Sequence, residues 1–218
     1  ALRNALEWHA VQHNYSQGIF GIVKCPSKPG ERDRRFSTDE TRTLFKSIKK
    51  TSRNKKKEMM LSVLFSIETA CRIGEMLQLR WAQVNLKDKT IDFLAETTKT
   101  KTFRRIPLTK TAYKILRWIE KNHNPKKDKS QRVFEFWALN EHNLSRQFQI
   151  CCERAKIDGV RYHDLRHEGL SRLFEWVNPR TGHTLNDLEI MSISGHKSVS
   201  MLKKYVHLRP STILPKFW

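Results

Sequence analysis

Lys57–Trp81 reads KEMMLSVLFSIETACRIGEMLQLRW, and its first half decides the fold class. Met59, Met60, Leu61, Val63, Leu64, Phe65 and Ile67 put apolar side chains nearly all round a helix over 57–68, so this helix belongs inside a core. A helix without a wet face needs other elements packed on every side. The second half changes character: a short helix over 73–79 ends near Trp81, and Arg72 stands between the two helices with Glu75 three residues further on.

Working upstream, Ser37 and Glu40 have the spacing of a capping box and open a helix over 38–49. The cationic run from Lys46 to Lys57 separates it from the buried helix. Leu2, Ala5, Leu6, Ala10 and Val11 recur at helical spacing, so residues 1–14 read as the end of a helix. From 15 to 35 the periodicity fails and Gly18, Gly21, Pro26, Pro29 and Gly30 accumulate, which reads as a linker. The chain begins with Ala1 rather than Met, which predicts a fragment or processed product with sequence missing upstream.

Working downstream, residues 90–96 and 104–108 alternate as strands do, and the polar stretch 97–103 between them predicts a hairpin. Leu108, Ala112, Ile115, Leu116 and Ile119 mark an amphipathic helix, and 122–130 is a lysine-rich loop. Residues 132–136 are expected to form a third short strand. Helices are expected over about 140–155, 164–177, 184–192 and 198–206. The result is an α+β domain over 36–218, mainly α, with a small antiparallel sheet.

Lys and Arg total 42 against 22 Asp and Glu in 218 residues, a formal net charge of +20. A surplus of that size predicts a polyanionic partner, and nucleic acid fits because basic side chains displace the counterions condensed on its phosphates. Lys46, Lys49, Lys50, Arg53, Lys55, Lys56, Lys57, Lys101 and Arg104 are the expected contacts to that nucleic acid. No basic amphipathic helix stands out as a membrane anchor, and no apolar run is long enough to cross a bilayer. Cys25, Cys71, Cys151 and Cys152 form no CxxC pair, which suits neither a zinc cage nor a disulfide framework and points to a reducing, cytoplasmic compartment.

Six positions carry the chemistry, in this order: Arg72 in TACRIGEM, Lys99 in TTKTKTFRRIPL, His163 and Arg166 in HDLRHE, His196 in SGH and Tyr205 in MLKKYVHL. Singly, each has an ordinary explanation, such as a snorkelling Arg or an amphipathic Tyr in packing. Together they meet the demands of phosphodiester transfer without a metal or other cofactor. Two guanidiniums can hold the non-bridging oxygens of the phosphate bidentately. Lys99, on a hairpin, can protonate the departing 5′ oxygen. A tyrosine hydroxyl, with an unperturbed pKa of about 10, needs cations and an imidazole to activate it. His163 and His196 are available for that.

This ordered set resembles the tyrosine recombinases of the phage-integrase type. Their pattern of an Arg with an acidic residue three positions on, a hairpin Lys, His-x-x-Arg, Gly-His and a Tyr nine residues later falls on Arg72 with Glu75, Lys99, His163 with Arg166, Gly195 with His196, and Tyr205. The resemblance runs from about Arg35 to Leu208. It implies that Tyr205 attacks the scissile phosphate to form a 3′-phosphotyrosyl bond, that Arg72, Arg166 and His196 hold the phosphate, that Lys99 is the general acid and His163 an acid–base partner, and that Glu75 supports Arg72. It also implies a homotetramer assembled on DNA, and it makes residues 1–14 the end of a preceding DNA-binding domain. Two departures stand out: the usual Gly before the first Arg is replaced in the run Thr69-Ala70-Cys71-Arg72, and Arg166-His167-Glu168 replaces Arg-His-Thr. His167 is expected to pack or to support the site from behind. HDLRHE, ISGH and MLKKYVHL together resemble the shufflon-type invertases and some mobile-element integrases.

Two other function classes compete. A metal-dependent nuclease is suggested by His163 and His167 at i, i+4, but such zinc sites place Glu directly after the first His and here Asp164 stands there. A non-catalytic DNA-binding regulator would explain the charge but has no use for the full Arg-Lys-His-Arg-His-Tyr series.

Overall fold

Ser37 accepts a hydrogen bond from the Glu40 backbone N–H while the Glu40 carboxylate accepts one from the Ser37 N–H, and this reciprocal cap starts helix α1 (Thr38–Lys49). The computed structural model describes residues 8–14, 34–51, 53–97, 102–138 and 140–208. The chain divides into two compact units, 1–32 and 33–218. In the first, 8–12 are helical. Most of the expected linker, 15–33, lies outside the described residues. In the second, α1 buries Leu44, Ser47 and Ile48 on one face.

Helix α2 (Arg53–Thr69) is the buried helix read from the sequence, but it starts at Arg53, so the end of the cationic run forms its first turn rather than a loop. Cations oppose the dipole at a helix N-terminus by up to about 1 kcal/mol. Burying Met59, Val63 and Phe65 contributes about 1.5–3 kcal/mol each, so burial decides where the helix forms. Its polar residues are satisfied inside the core: Ser62 Oγ accepts from Trp137 Nε1 at 2.8 Å, and Ser66 Oγ lies 2.9 Å from the Tyr162 hydroxyl. Ala70 then adopts φ +48°, and this left-handed residue turns the chain into Arg72 and the short helix α3 (Ile73–Gln78).

The sheet has the order β1 (Val84–Asn85), β2 (Thr90–Phe93), β3 (Arg104–Pro107), all antiparallel, with Ile91 opposite Ile106 and Phe93 opposite Arg104. The predicted hairpin therefore pairs as expected; its tip, 98–101, lies outside the described residues. Strand β1, only two residues long, has no alternation to read. The strand expected over 90–96 stops at Phe93, where Ala95–Thr97 forms a 3-10 turn. The strand expected over 132–136 does not form. Arg132 makes one isolated bridge to Arg80, and the chain turns into a 3-10 helix at Glu135–Trp137. Phe134 and Trp137 both enter the core, a spacing of three that an extended strand, with its period of two, cannot provide.

Helices α4 (Lys110–His123) and α5 (Glu141–Arg154) start at Thr109 and Asn140, whose side chains accept from the backbone N–H groups of Ala112 and Asn143. Helix α6 (Asp164–Glu175) stops at Glu175, and Val177 leaves it to bridge Thr184. Helix α7 (Asp187–Ser194) begins later than expected, at an Asn186–Glu189 capping box, and ends on Gly195 at φ +70°. The last helix, Val199–Leu208, is a 3-10 helix rather than an α-helix. Among the described residues no helix is long and apolar enough to cross a membrane. Cys71, Cys151 and Cys152 are buried free thiols.

Two apolar clusters result. The larger joins α2 to the sheet, α4 and α5. The smaller gathers Ala70 from the turn after α2 with Leu170, Phe174, Ile190, Leu202 and Tyr205 from α6, α7 and the terminal 3-10 helix. Gly169 lets α6 lie against α2, because a Cβ there would stand 2.4 Å from the Ile67 carbonyl oxygen. In an open helix Gly→Ala stabilises by about 1 kcal/mol. At Gly169 the obstruction is backbone, and overpacking of this kind costs about 1–3 kcal/mol. Gly169→Ala is therefore expected to lower the urea midpoint of unfolding; an unchanged or raised midpoint would contradict this packing.

Candidate active site

The site is built on Glu75. Its carboxylate is 2% exposed and accepts from the Arg72 backbone N–H at 2.8 Å, from Arg72 Nη1 at 2.8 Å, and from Arg104 Nη1 and Nη2 at 3.1 and 2.6 Å. Burial pushes the Glu75 carboxyl upward, but Arg104 and Arg72 outweigh it and hold it below its ordinary value near 4.5. Arg104, expected on the DNA face, is instead buried. It stacks on the Phe93 ring at 4.3 Å and donates from Nε to the Ile193 carbonyl at 3.1 Å. Its place opposite Phe93 in the register turns its side chain into the protein.

Arg166, on the first turns of α6, is 4% exposed and donates to the carbonyls of Ala70 and Ser194 at 2.6 and 2.7 Å. Burial, with the neighbouring Arg72 charge, presses its pKa down to about 10, so it stays protonated at neutral pH. Arg72 reaches toward the next carbonyl, Gly195, at 3.5 Å, and Ser194 Oγ lies 2.7 Å from His196 Nδ1. The turn closing α7 therefore collects Arg72, Arg166 and His196. Gly195 is required there twice: its φ is positive, and a Cβ would stand 3.1 Å from Arg104 Nη1. Three guanidiniums around one carboxylate leave a local excess of positive charge. Arg72 keeps a fifth of its side chain exposed, which suits an anion arriving from outside.

The next residue of α6, His167, links this turn to the smaller core. The Tyr205 hydroxyl is hydrogen-bonded to Nδ1 of His167, and the Tyr205 ring stacks on Phe174 with centroids 5.5 Å apart. Tyr205 is 2% exposed. His163, exposed at the N-cap of the same helix, is edge-on to His167 at 5.2 Å and lines a cleft of about 420 Å³ with Ile73, His142, Arg146 and Arg161. The rest of the HDLRHE segment is structural. Asp164 accepts from the Arg161 N–H at 2.7 Å, and buried Glu168 pairs with Arg172 at 2.8 Å and Arg35 at 3.4 Å.

Lys99 and Lys101 lie outside the described residues, as do the side chains of Arg53 and Lys55. Lys46, Lys49 and Lys50 are exposed at the end of α1, Lys56 is half-buried, and Lys57 lies over the Trp118 ring at 5.3 Å. The contact that the sequence does not announce is His167 with Tyr205, because His167 is expected there to pack or to support the site from behind, not to touch the tyrosine. The signal available was its i, i+4 spacing from His163.

The sequence profile described as the phage integrase family matches residues 34–212. The chain belongs to this family. A shufflon-specific DNA recombinase of Escherichia coli is 34% identical over 213 residues, covering 97% of this chain and 48% of that protein. The chain spans about half the length of curated relatives such as this one and the Salmonella phage P22 integrase. A lambda integrase dimer bound to a core site shares the fold at TM-score 0.66 and 17% identity, covering 96% of this chain and 57% of that one. A lambda integrase tetramer bound to a Holliday junction does so at TM-score 0.64 and 16% identity, covering 91% and 57%. The domain thus has the tyrosine-recombinase catalytic fold, mainly α with a small antiparallel sheet.

Glu75→Gln keeps the shape but removes the counter-charge of two guanidiniums. Removing one partner of a buried pair costs about 3–5 kcal/mol. Because the folded-state pKa of Glu75 lies below its unfolded value, its contribution is present above about pH 4.5 and is lost as pH falls through the folded value. Urea unfolding is therefore expected to show the variant much weaker at pH 7, with the gap narrowing toward pH 3. A gap that does not depend on pH would contradict this account.

Proposed function

We propose that this chain carries the catalytic domain of a site-specific DNA recombinase, which cleaves and rejoins double-stranded DNA by transesterification through a 3′-phosphotyrosyl bond to Tyr205, without a metal. The observation that carries this reading is the convergence of Arg72, Arg166 and His196 on one turn, with Tyr205 bonded to the residue beside Arg166. Residues 36–218 would be the catalytic domain, 15–35 a linker, and 1–14 the end of a preceding DNA-binding domain.

In this reading Arg72 and Arg166 clamp the non-bridging oxygens of the scissile phosphate. Two of the five N–H donors of Arg166 serve carbonyl oxygens, which fixes the plane of the guanidinium and leaves others for phosphate. Preorganised donors of this kind are worth about 10²–10³ in rate each. His196, oriented by Ser194, donates to the same phosphate, and His163 assists from the exposed side. Lys99 protonates the 5′ oxygen as it leaves. The free 5′ hydroxyl of a partner strand then attacks the phosphotyrosine and releases Tyr205. Strand exchange of this kind needs four such sites, which supports a homotetramer assembled on DNA. The lambda integrase tetramer on a Holliday junction is consistent with that. The reaction would take place in the cytoplasm of a bacterial cell, on the DNA of that cell or of its virus or plasmid.

The test uses a nicked duplex whose sequence is taken from the DNA flanking the gene. Tyr205→Phe is expected to bind it normally and form no denaturation-resistant adduct; a normal adduct yield would sink the assignment. Arg72→Ala and Arg166→Ala should each slow adduct formation about 10²–10³-fold with smaller effects on binding. Affinity should also fall with salt at a log–log slope of about 0.9 per neutralised phosphate, and a flat response would contradict the electrostatic reading.

A further inference from the structure

We propose that His167, rather than His163, is the base that takes the proton from the Tyr205 hydroxyl; this rests on reading Tyr205 as the nucleophile.

Three observations carry the assignment. The first is contact: Nδ1 of His167 is the imidazole nitrogen hydrogen-bonded to the Tyr205 hydroxyl. A neutral imidazole with its proton on Nε2 presents a lone pair at Nδ1, so the hydroxyl donates and the ring accepts. The second is restraint. The buried Tyr205 ring stacks on Phe174, tilted 22° with centroids 5.5 Å apart, and its hydroxyl meets the His167 imidazole end-on, with the two ring centroids 6.2 Å apart. Base and nucleophile are thus held in register before any substrate arrives, as an activated nucleophile requires. The third is position. His167 is adjacent in sequence to Arg166, so the proton acceptor and a phosphate-holding guanidinium ride on the same rigid helix. His163 stands before that helix, at its N-cap, and lines the cleft.

The step balances. As the Tyr205 oxygen attacks phosphorus, its proton passes to His167 Nδ1, the bond from phosphorus to the 5′ oxygen breaks, and the general acid protonates that oxygen. His167 becomes an imidazolium beside the new phosphotyrosyl ester. In rejoining, the incoming 5′ hydroxyl passes its proton to the deprotonated general acid as its oxygen attacks phosphorus, the phosphotyrosyl bond breaks, and His167 returns its proton to the departing phenolate. The enzyme ends in its starting state.

His167→Asn is the discriminating variant, because the asparagine oxygen can accept the same hydrogen bond from about the position of Nδ1 but cannot take up the proton. On the nicked duplex, His167→Asn is expected to bind normally and to form the Tyr205 adduct about 10²–10⁴-fold more slowly. Replacing Tyr205 by a fluorinated tyrosine, whose phenol is more acidic, should recover much more of the rate in the His167→Asn protein than in the otherwise unaltered one. An adduct rate unchanged in His167→Asn, or an equal fluorine effect in both proteins, would overturn the proposal. If His163→Asn alone shows the fluorine recovery, His163 is the base instead. Should His167→Asn not fold, the ring-nitrogen NMR shift of His167 decides: it must change in Tyr205→Phe, and an unchanged shift refutes the contact. The reading of Tyr205 itself fails differently, through an adduct that persists in Tyr205→Phe.

Discussion

A single buried carboxylate holds the catalytic half of this domain together. Glu75 accepts from the backbone N–H that starts α3 and from the guanidiniums of Arg72 and Arg104. The carboxylate thereby ties the helix pair α2–α3 to strand β3, and through the bond from Arg104 to Ile193 it ties both to α7. Desolvating so many charges is costly, and such a cluster persists where geometry and hydrogen bonds repay it. Here the return is positional. The turn after α7 is set where Arg166 and Arg72 can reach consecutive carbonyls of it.

Helix α6 is the second organising element. One turn of it carries Arg166 toward the anion-holding turn and His167 toward Tyr205. Its close approach to α2 depends on Gly169. Glu168, on the same turn, connects to Arg172 and to Arg35, and Arg35 also spans both oxygens of Glu175 at 2.5 and 3.1 Å. The chain segment leading into α1 is thus attached by charge to the helix that bears the chemistry. A buried carboxylate at position 168 can anchor Arg35, which a hydroxyl would do more weakly.

Where the sequence misled, local pattern competed with tertiary packing. Arg104 looked like another basic residue beside Lys99 and Lys101, yet its register opposite Phe93 turns it inward. Residues 132–136 carry strand-forming side chains, but Phe134 and Trp137 both need the core, and only a helical turn brings them to it. The expected helix starts at 57 and 184 moved because burial in one case and a capping box in the other outweighed local charge and periodicity.

By itself the sequence determined the all-round apolar helix α2, the capped start of α1, the amphipathic helix α4, the hairpin and the order and spacing of Arg72, His163, Arg166, His196 and Tyr205. All of these are short-range patterns, legible because helix and strand periods are local properties of the chain. Tertiary structure alone decided that Glu75 would bind the Arg104 guanidinium 29 residues away, and that Tyr205 would meet His167 across 38 residues. Which side chains touch over such separations depends on how helices and strands pack, and no local period encodes that.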